Sequence, residues 1–137
     1  MSDFVSTADA LRTRLQAFTS LPLFWPNDDR TPTPELAPNG FVYSEIAVQD
    51  EQQMTLGNPA LHRDYGELTI YVYVPRGSRI GTAEGYAEQI RGLFGTTAVS
   101  GVNVTKKTIG RGQGVDGPSG KAYAVPVYIE FNADRTE

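Results

Sequence analysis

The chain has no cysteine, which excludes a disulfide framework, a thiolate metal site and a cysteine nucleophile. His62 is its only histidine, set in Pro59-Ala60-Leu61-His62-Arg63-Asp64-Tyr65. A metal site needs partners at ligand spacing, and none stands near it. A serine triad needs a sharp Gly-x-Ser-x-Gly elbow, and none occurs. His62 is therefore read as a surface or interface histidine. No run approaches the ~18–20 apolar residues of a membrane-spanning helix. The first residues, Met-Ser-Asp-Phe-Val-Ser, lack the basic and apolar regions of a secretory signal, which predicts a chain made and used in the cytoplasm. An excess of positive charge is also missing: 12 basic against 16 acidic residues give −4. Wrapping nucleic acid needs a basic footprint, so at most transient contact with DNA, or its enclosure, fits this balance.

What is present suits a single folded domain: 137 residues, 39% hydrophobic and 20% charged. Its clearest signal is the stretch 66–75, Gly-Glu-Leu-Thr-Ile-Tyr-Val-Tyr-Val-Pro. Leu68, Ile70, Val72 and Val74 alternate with Glu67, Thr69, Tyr71 and Tyr73, the two-residue period of a strand. Burying each aliphatic contributes roughly 1.5–3 kcal/mol before entropy is subtracted. The opposite face carries two tyrosines, and a single layer of helices leaves it wet unless something covers it.

Ser6-Thr7-Ala8-Asp9 reads as a helix start with Ser6 as cap and Asp9 favouring the positive end of the dipole. Phe4, Ala8, Leu11, Leu15 and Phe18 then recur at helical steps over 6–19. Leu21 to Trp25, bracketed by Pro22 and Pro26, allows at most a short edge strand, with Trp25 anchoring it to the first helix. Residues 27–39 form a proline-rich loop, and 41–48 alternate as a second strand. The polar excursion 49–65 is far longer than the ~2–5 residues of a hairpin turn, so it is a projecting arm or a long functional loop. Ala83, Tyr86, Ala87, Ile90 and Phe94 give a second helix, with Thr82 as cap and Gly95 as a left-handed stop. A polar strand over 102–109, a glycine-rich loop over 110–120 and a strand over 121–131 complete the fold. Pro126 lacks an N–H and points to an edge or a bulge there. Residues 132–137 read as a mobile tail.

The expected architecture is α+β: one domain over 1–137, in the order α-(β)-β-β-α-β-β. Its mostly antiparallel sheet of four to five strands has both helices on one face. Gly110-Arg111-Gly112-Gln113-Gly114 fails the dinucleotide and Walker patterns, since a strand rather than a helix follows and no Gly-Lys-Ser/Thr closes it. It is a strand connector or, less readily, an anion-binding loop. Asp28-Asp29 and Asp50-Glu51 are adjacent carboxylates that point apart on an extended chain, so neither is an acid/base pair. Asn103-Val104-Thr105 matches a glycosylation sequon without a secretory signal. Lys106, Lys107, Arg111 and Lys121 are dispersed solubilising charge or a basic edge for an acidic partner or phosphate. No catalytic residue, cofactor site or metal site is indicated.

Several features in order resemble the phage tail terminator-like family. They are the amphipathic first helix, Leu23-Phe24-Trp25-Pro26-Asn27, the arm ending in Arg63-Asp64-Tyr65-Gly66, the strand over 68–75 leading to Gly81, the second helix closing on Leu93-Phe94, and the Tyr-x-Val-Pro-Val-x-Ile-x-Phe strand over 123–131. The resemblance implies a structural virion protein of a siphophage or gene-transfer-agent tail. Such a protein forms a homohexameric ring at the head-proximal end of the tail tube, assembled in the host cytoplasm. The ring stops tube polymerisation and offers a docking face to the head-side connector or head-completion protein, while DNA passes through its lumen without specific binding. Lateral contacts are then expected at His62, Arg63, Tyr65, Tyr71 and Tyr73. The loop facing tube or connector is expected at Lys106, Lys107, Arg111 and Gln113. Another phage ring component, or a small-ligand-binding α+β domain using loop 110–120, are the alternatives.

Overall fold

A computed structural model describes residues 4–26, 38–57, 60–77, 80–95, 101–117 and 120–136. Most of the proline-rich loop, with Asp28-Asp29, lies outside them. The elements are α1 (Phe4–Leu15), β1 (Leu23–Phe24), β2 (Phe41–Gln53), β3 (Leu61–Pro75), α2 (Ile80–Leu93), β4 (Asn103–Ile109), β5 (Gln113–Gly117) and β6 (Gly120–Thr136). The fold is α+β, with one more strand than expected. Among the described residues six strands form one sheet in the order β1-β2-β3-β6-β4, with β5 also on β6. All pairs are antiparallel except β1 with β2.

Both helices lie on one face. Leu11 and Leu15 of α1 and Ala83, Ala87 and Ile90 of α2 share one buried cluster with Val42, Leu68, Ile70, Val72, Val74, Val125, Val127, Ile129 and Phe131. Trp25 packs against that cluster from the chain after β1. The alternation in the sequence put these side chains on one side, because successive strand residues point to opposite faces. Gly66 pairs directly with Phe131, and a Cβ on it would meet the Phe131 Cζ at 2.6 Å and the Ala47 carbonyl at 2.5 Å. Glycine there lets an aromatic ring lie flat over the strand.

Helix boundaries differ from the expectation. Because α1 begins at Phe4, Ser6 and Asp9 lie inside the helix rather than at its cap and first turn. It ends at Leu15 in a tightened turn, Phe18 N–H donating to the Leu15 carbonyl at 2.9 Å, and that turn keeps Phe18 buried. Thr82 likewise lies inside α2. Gly95 is not left-handed; short bonds from Phe94 N to Arg91 O and from Gly95 N to Gly92 O close the helix instead. A guanidinium N–H of Arg14 in α1 donates to the Leu93 carbonyl at 3.2 Å, placing a cation at the negative end of α2.

Pro126 is not at an edge. β6 has β3 along one side and, in tandem along the other, β5 and then β4. Pro126 falls at the break between those two. Its carbonyl accepts from Gly110 N–H at 2.8 Å, so its nitrogen also points toward the break, where no ladder bond is lost. The loop expected over 110–120 is shortened accordingly, since 113–117 form β5 against 120–124. Residues 132–136, read as a mobile tail, continue β6 in register with 61–65 of β3.

Candidate assembly surface

The sheet face turned away from the helices is built from the residues that alternate with the core. β2 contributes Phe41, Tyr43, Glu45 and Ala47; β3 contributes Tyr73, Tyr71, Thr69 and Glu67; β6 contributes Ala124, Pro126, Tyr128 and Glu130. The expectation that this far face is bare needs correction. Phe41 is 2% exposed and forms a second small cluster with Phe24, against which Tyr43 and Tyr73 pack. Tyr73 stacks on Phe41 at 4.6 Å between centroids, and Phe24 meets Phe41 edge-on at 5.7 Å. Such pairs contribute about 0.5–1.5 kcal/mol each beyond area burial. The aromatic residues of β1 and β2 thus give the tyrosines neighbours of their own.

Tyr71 and Tyr73 remain half-buried, their rings 6.2 Å apart. Burial pushes the Tyr71 phenol above its ordinary value, with the Glu45 charge adding to the effect. Tyr73 is pushed up by burial, then by Tyr71 and Glu45. Both therefore stay neutral well into alkaline conditions, as groups held in a poorly hydrated place with carboxylates nearby.

Beside Tyr71 the face dips into a concavity of about 650 Å³ lined by Tyr71, Arg111, Gly112, Gln113, Ala124, Pro126 and Tyr128. The glycines of the 110–112 turn allow it to lie close to the sheet. A Cβ on Gly110 would meet Pro126 and Tyr128 at 2.8 Å, and one on Gly112 would meet the Tyr123 hydroxyl at 2.3 Å. Arg111 is exposed and makes no hydrogen bond or ion pair among the described residues.

At the other end, β2, β3 and β6 continue together as a three-stranded arm. Gln53 pairs with His62, and Leu61 with Thr136. Arg63 and Asp134 face each other on the far face in a forked pair, Nε to Oδ1 at 2.7 Å and Nη2 to Oδ2 at 3.1 Å. The hydrogen bond from Arg63 holds the Asp134 carboxyl below its ordinary value, and Asp134 raises the guanidinium further above its own. The Tyr65 hydroxyl donates to the Gln52 side-chain oxygen at 3.2 Å. The hairpin tip is tied down: Leu61 N–H donates to the Thr55 hydroxyl at 2.8 Å, and the Gln53 amide to the Thr55 carbonyl at 2.9 Å. Leu56 stands at that tip, 94% exposed.

The residues singled out from sequence are thereby regrouped. Tyr71, Tyr73, Tyr65 and Arg63 share the far face, because they are alternate residues of one unbulged strand. His62 does not; it points to the helix side of the arm, its Nδ1 3.2 Å from Glu51 Oε1. Arg111 and Gln113 join Tyr71 at the concavity. Lys106 and Lys107 part: Lys106 is on the far face, 4.0 Å from Glu130, while the Lys107 ammonium lies against Gly95 at the end of α2. Phe41, Tyr43, Tyr128 and Asp134 were missed. The first three were legible as the complement of the core alternation in β2 and β6; Asp134 was hidden by reading its segment as a tail. No group of three or more potential metal-ligating side chains occurs among the described residues.

A family model described as phage tail terminator protein matches residues 6–131. Among solved structures, one whose name describes no function superposes with a TM-score of 0.58 at 19% identity, covering 92% of this chain and 94% of its own. At that identity the likeness concerns the fold alone. No curated protein matches the chain significantly.

Proposed function

The chain belongs to the phage tail terminator protein family, and from that premise we propose that its copies close side by side into a hexameric ring on the head-proximal end of the tail tube. Membership itself makes the chain a structural protein of the virion tail rather than an enzyme. In the proposed role the ring halts tube growth and presents a docking surface to the head-side connector or head-completion protein. The action is steric and adhesive. One side of the ring fits a tube subunit, and the other does not reproduce the surface on which the tube polymerises. DNA crosses the lumen without specific binding, a role to which a net charge of −4 is suited.

The observation that carries this reading, beyond the family itself, is the far face: half-covered tyrosines at one end and an arm at the other. A ring joined head to tail needs two different patches on every copy, one for each neighbour. The contacts are assigned to Tyr71, Tyr73, Tyr65 and Arg63 laterally, joined by Arg111 and Gln113, which line the concavity beside Tyr71, with Lys106 toward tube or connector. Tyr71→Ala combined with Tyr73→Ala shifts the assembly toward monomer in light scattering; an unchanged mass removes the tyrosines from the lateral contact.

The decisive experiment is deletion of the gene from its phage, followed by electron microscopy of the lysate. Overlong tails without heads are expected, restored to normal length by the gene supplied in trans. Tails of normal length beside unattached heads would indicate a head-completion protein, and an absence of tubes would indicate a tube subunit; either overturns the capping role.

A further inference from the structure

We infer that the arm tip of one copy, with Leu56 as its knob, seats in the concavity formed by Tyr71, Arg111, Gln113 and Tyr128 of the next copy. This deepens the ring reading and rests on it. The exposed large apolar residues of the described chain are Val5, Val48, Met54 and Leu56, and three of these four belong to the arm or its base. Water-exposed leucine gains by burial. Thr55, next to Leu56, is held in place: its hydroxyl accepts from Leu61 N–H and its carbonyl from the Gln53 amide. An ordered apolar knob loses little freedom on docking.

The socket is complementary in kind. It is walled by tyrosine and proline, with a guanidinium lacking any partner among the described residues at its rim. Its volume of about 650 Å³ is ample for the Leu56 side chain. Charge agrees with the pairing. Residues 49–65 carry three acidic groups against one arginine, whereas the one charged side chain lining the socket is the exposed guanidinium of Arg111. Opposite fields bring the two patches together and orient them.

The occupant has to come from another copy. Leu61, at the base of the tip, and Tyr71, at the socket, belong to the same strand. Ten residues at about 3.3 Å each separate them by about 33 Å, along a stiff ladder. No copy can fill its own socket, and a contact between unlike patches propagates from copy to copy until it closes.

The cysteine-free chain makes the test clean. Leu56→Cys with Gln113→Cys, mildly oxidised under conditions where rings form, should give a ladder of covalent multimers ending at the closed ring, while each single variant gives none. Rings seen by imaging without covalent product overturn the knob-and-socket contact and leave the ring reading standing. Covalent dimers from Leu56→Cys alone mean tips meet each other and overturn it too. Failure to assemble, even with tail tubes supplied, overturns both. Leu56→Asp, which cannot disturb a core it does not touch, should raise the half-assembly concentration at least about tenfold with an unchanged unfolding midpoint; unaltered assembly overturns the inference.

Discussion

The two faces of β3 are made by one stretch of chain, yet they do different work. On the helix side Leu68, Ile70, Val72 and Val74 are at most 1% exposed and share one cluster with both helices. On the far side Glu67, Thr69, Tyr71 and Tyr73 are half-buried, with one stacked ring, a short hydrogen-bonded chain from Thr69 to Glu67 at 3.1 Å, and carboxylates nearby. The first face is closed within the chain. The second is organised but unfinished, with apolar surface arranged around charge. Folding and assembly can therefore be separated by substituting neighbouring residues of a single strand.

The largest effect belongs to the closed face. Ile70→Ala removes a fully buried side chain at the centre of the sheet and should cost about 2–5 kcal/mol in urea unfolding, since the cavity cannot collapse between two strands and a helix. A cost comparable to that of Thr69→Ala, its far-face neighbour, would erase the distinction between the two faces. Gly66→Ala comes next. It adds one methyl where the Phe131 ring and the Ala47 carbonyl leave no room, and should destabilise by about 1–3 kcal/mol. Phe131→Leu in the same background should recover part of that loss, because the far end of the ring is one of the two groups the methyl strikes.

Tyr73 sits between the two regimes. Tyr73→Ala loses the stack on Phe41, about 0.5–1.5 kcal/mol beyond area, whereas Tyr73→Phe keeps it. The phenol gives a second reading. Its folded pKa is raised above the free value of 10.0, so the folded state prefers the neutral group. That contribution is complete below pH 10 and is lost as pH rises through the folded value. Wild type should thus weaken in alkali more than Tyr73→Phe does, measured by denaturant unfolding at neutral pH and above pH 10. Equal alkaline losses would mean that the phenol is as well hydrated as in the unfolded chain.

The strongly periodic parts of the fold were legible in the sequence because periodicity records burial. The core of β3, the stripes of both helices and the buried side of β6 follow from it directly. Positions fixed by long-range neighbours were not legible. Pro126 looks like an edge or bulge residue until β4 and β5 are seen to share one side of β6 and part there. Segment 132–136 is polar at its end and resembles a tail until β3 is long enough to pair with it. Ser6 and Thr82 have capping chemistry, but both helices begin earlier, at Phe4 and Ile80. At the candidate surface, β3 announced Tyr71 and Tyr73 by alternation alone. The gathering of Arg111 and Gln113 beside Tyr71 depended on where the 110–112 turn crosses the sheet, which no local pattern encodes.

The smallest effect lies at the far end of the unfinished face. The Arg63–Asp134 fork is well aligned, but both side chains are about one-third exposed, 30% and 32%, so solvent screens much of the attraction. Its consequence is local rather than global: it fastens β6 to β3 within the arm, away from the helices. Asp134 has a folded pKa below its ordinary 3.8, chiefly because Arg63 donates to it. A depressed carboxyl pKa stabilises above the unfolded value and ceases to do so as pH falls through the folded one. Arg63→Met should accordingly reduce hydrogen-exchange protection of amides 62–65 and 132–135 at neutral pH, with the unfolding midpoint of the whole domain nearly unmoved. That difference from wild type should vanish well below pH 3.8. A difference persisting in acid would mean that Arg63 holds the arm through its aliphatic stem, and the polar end of the face would then resemble the closed one more than the fork suggests.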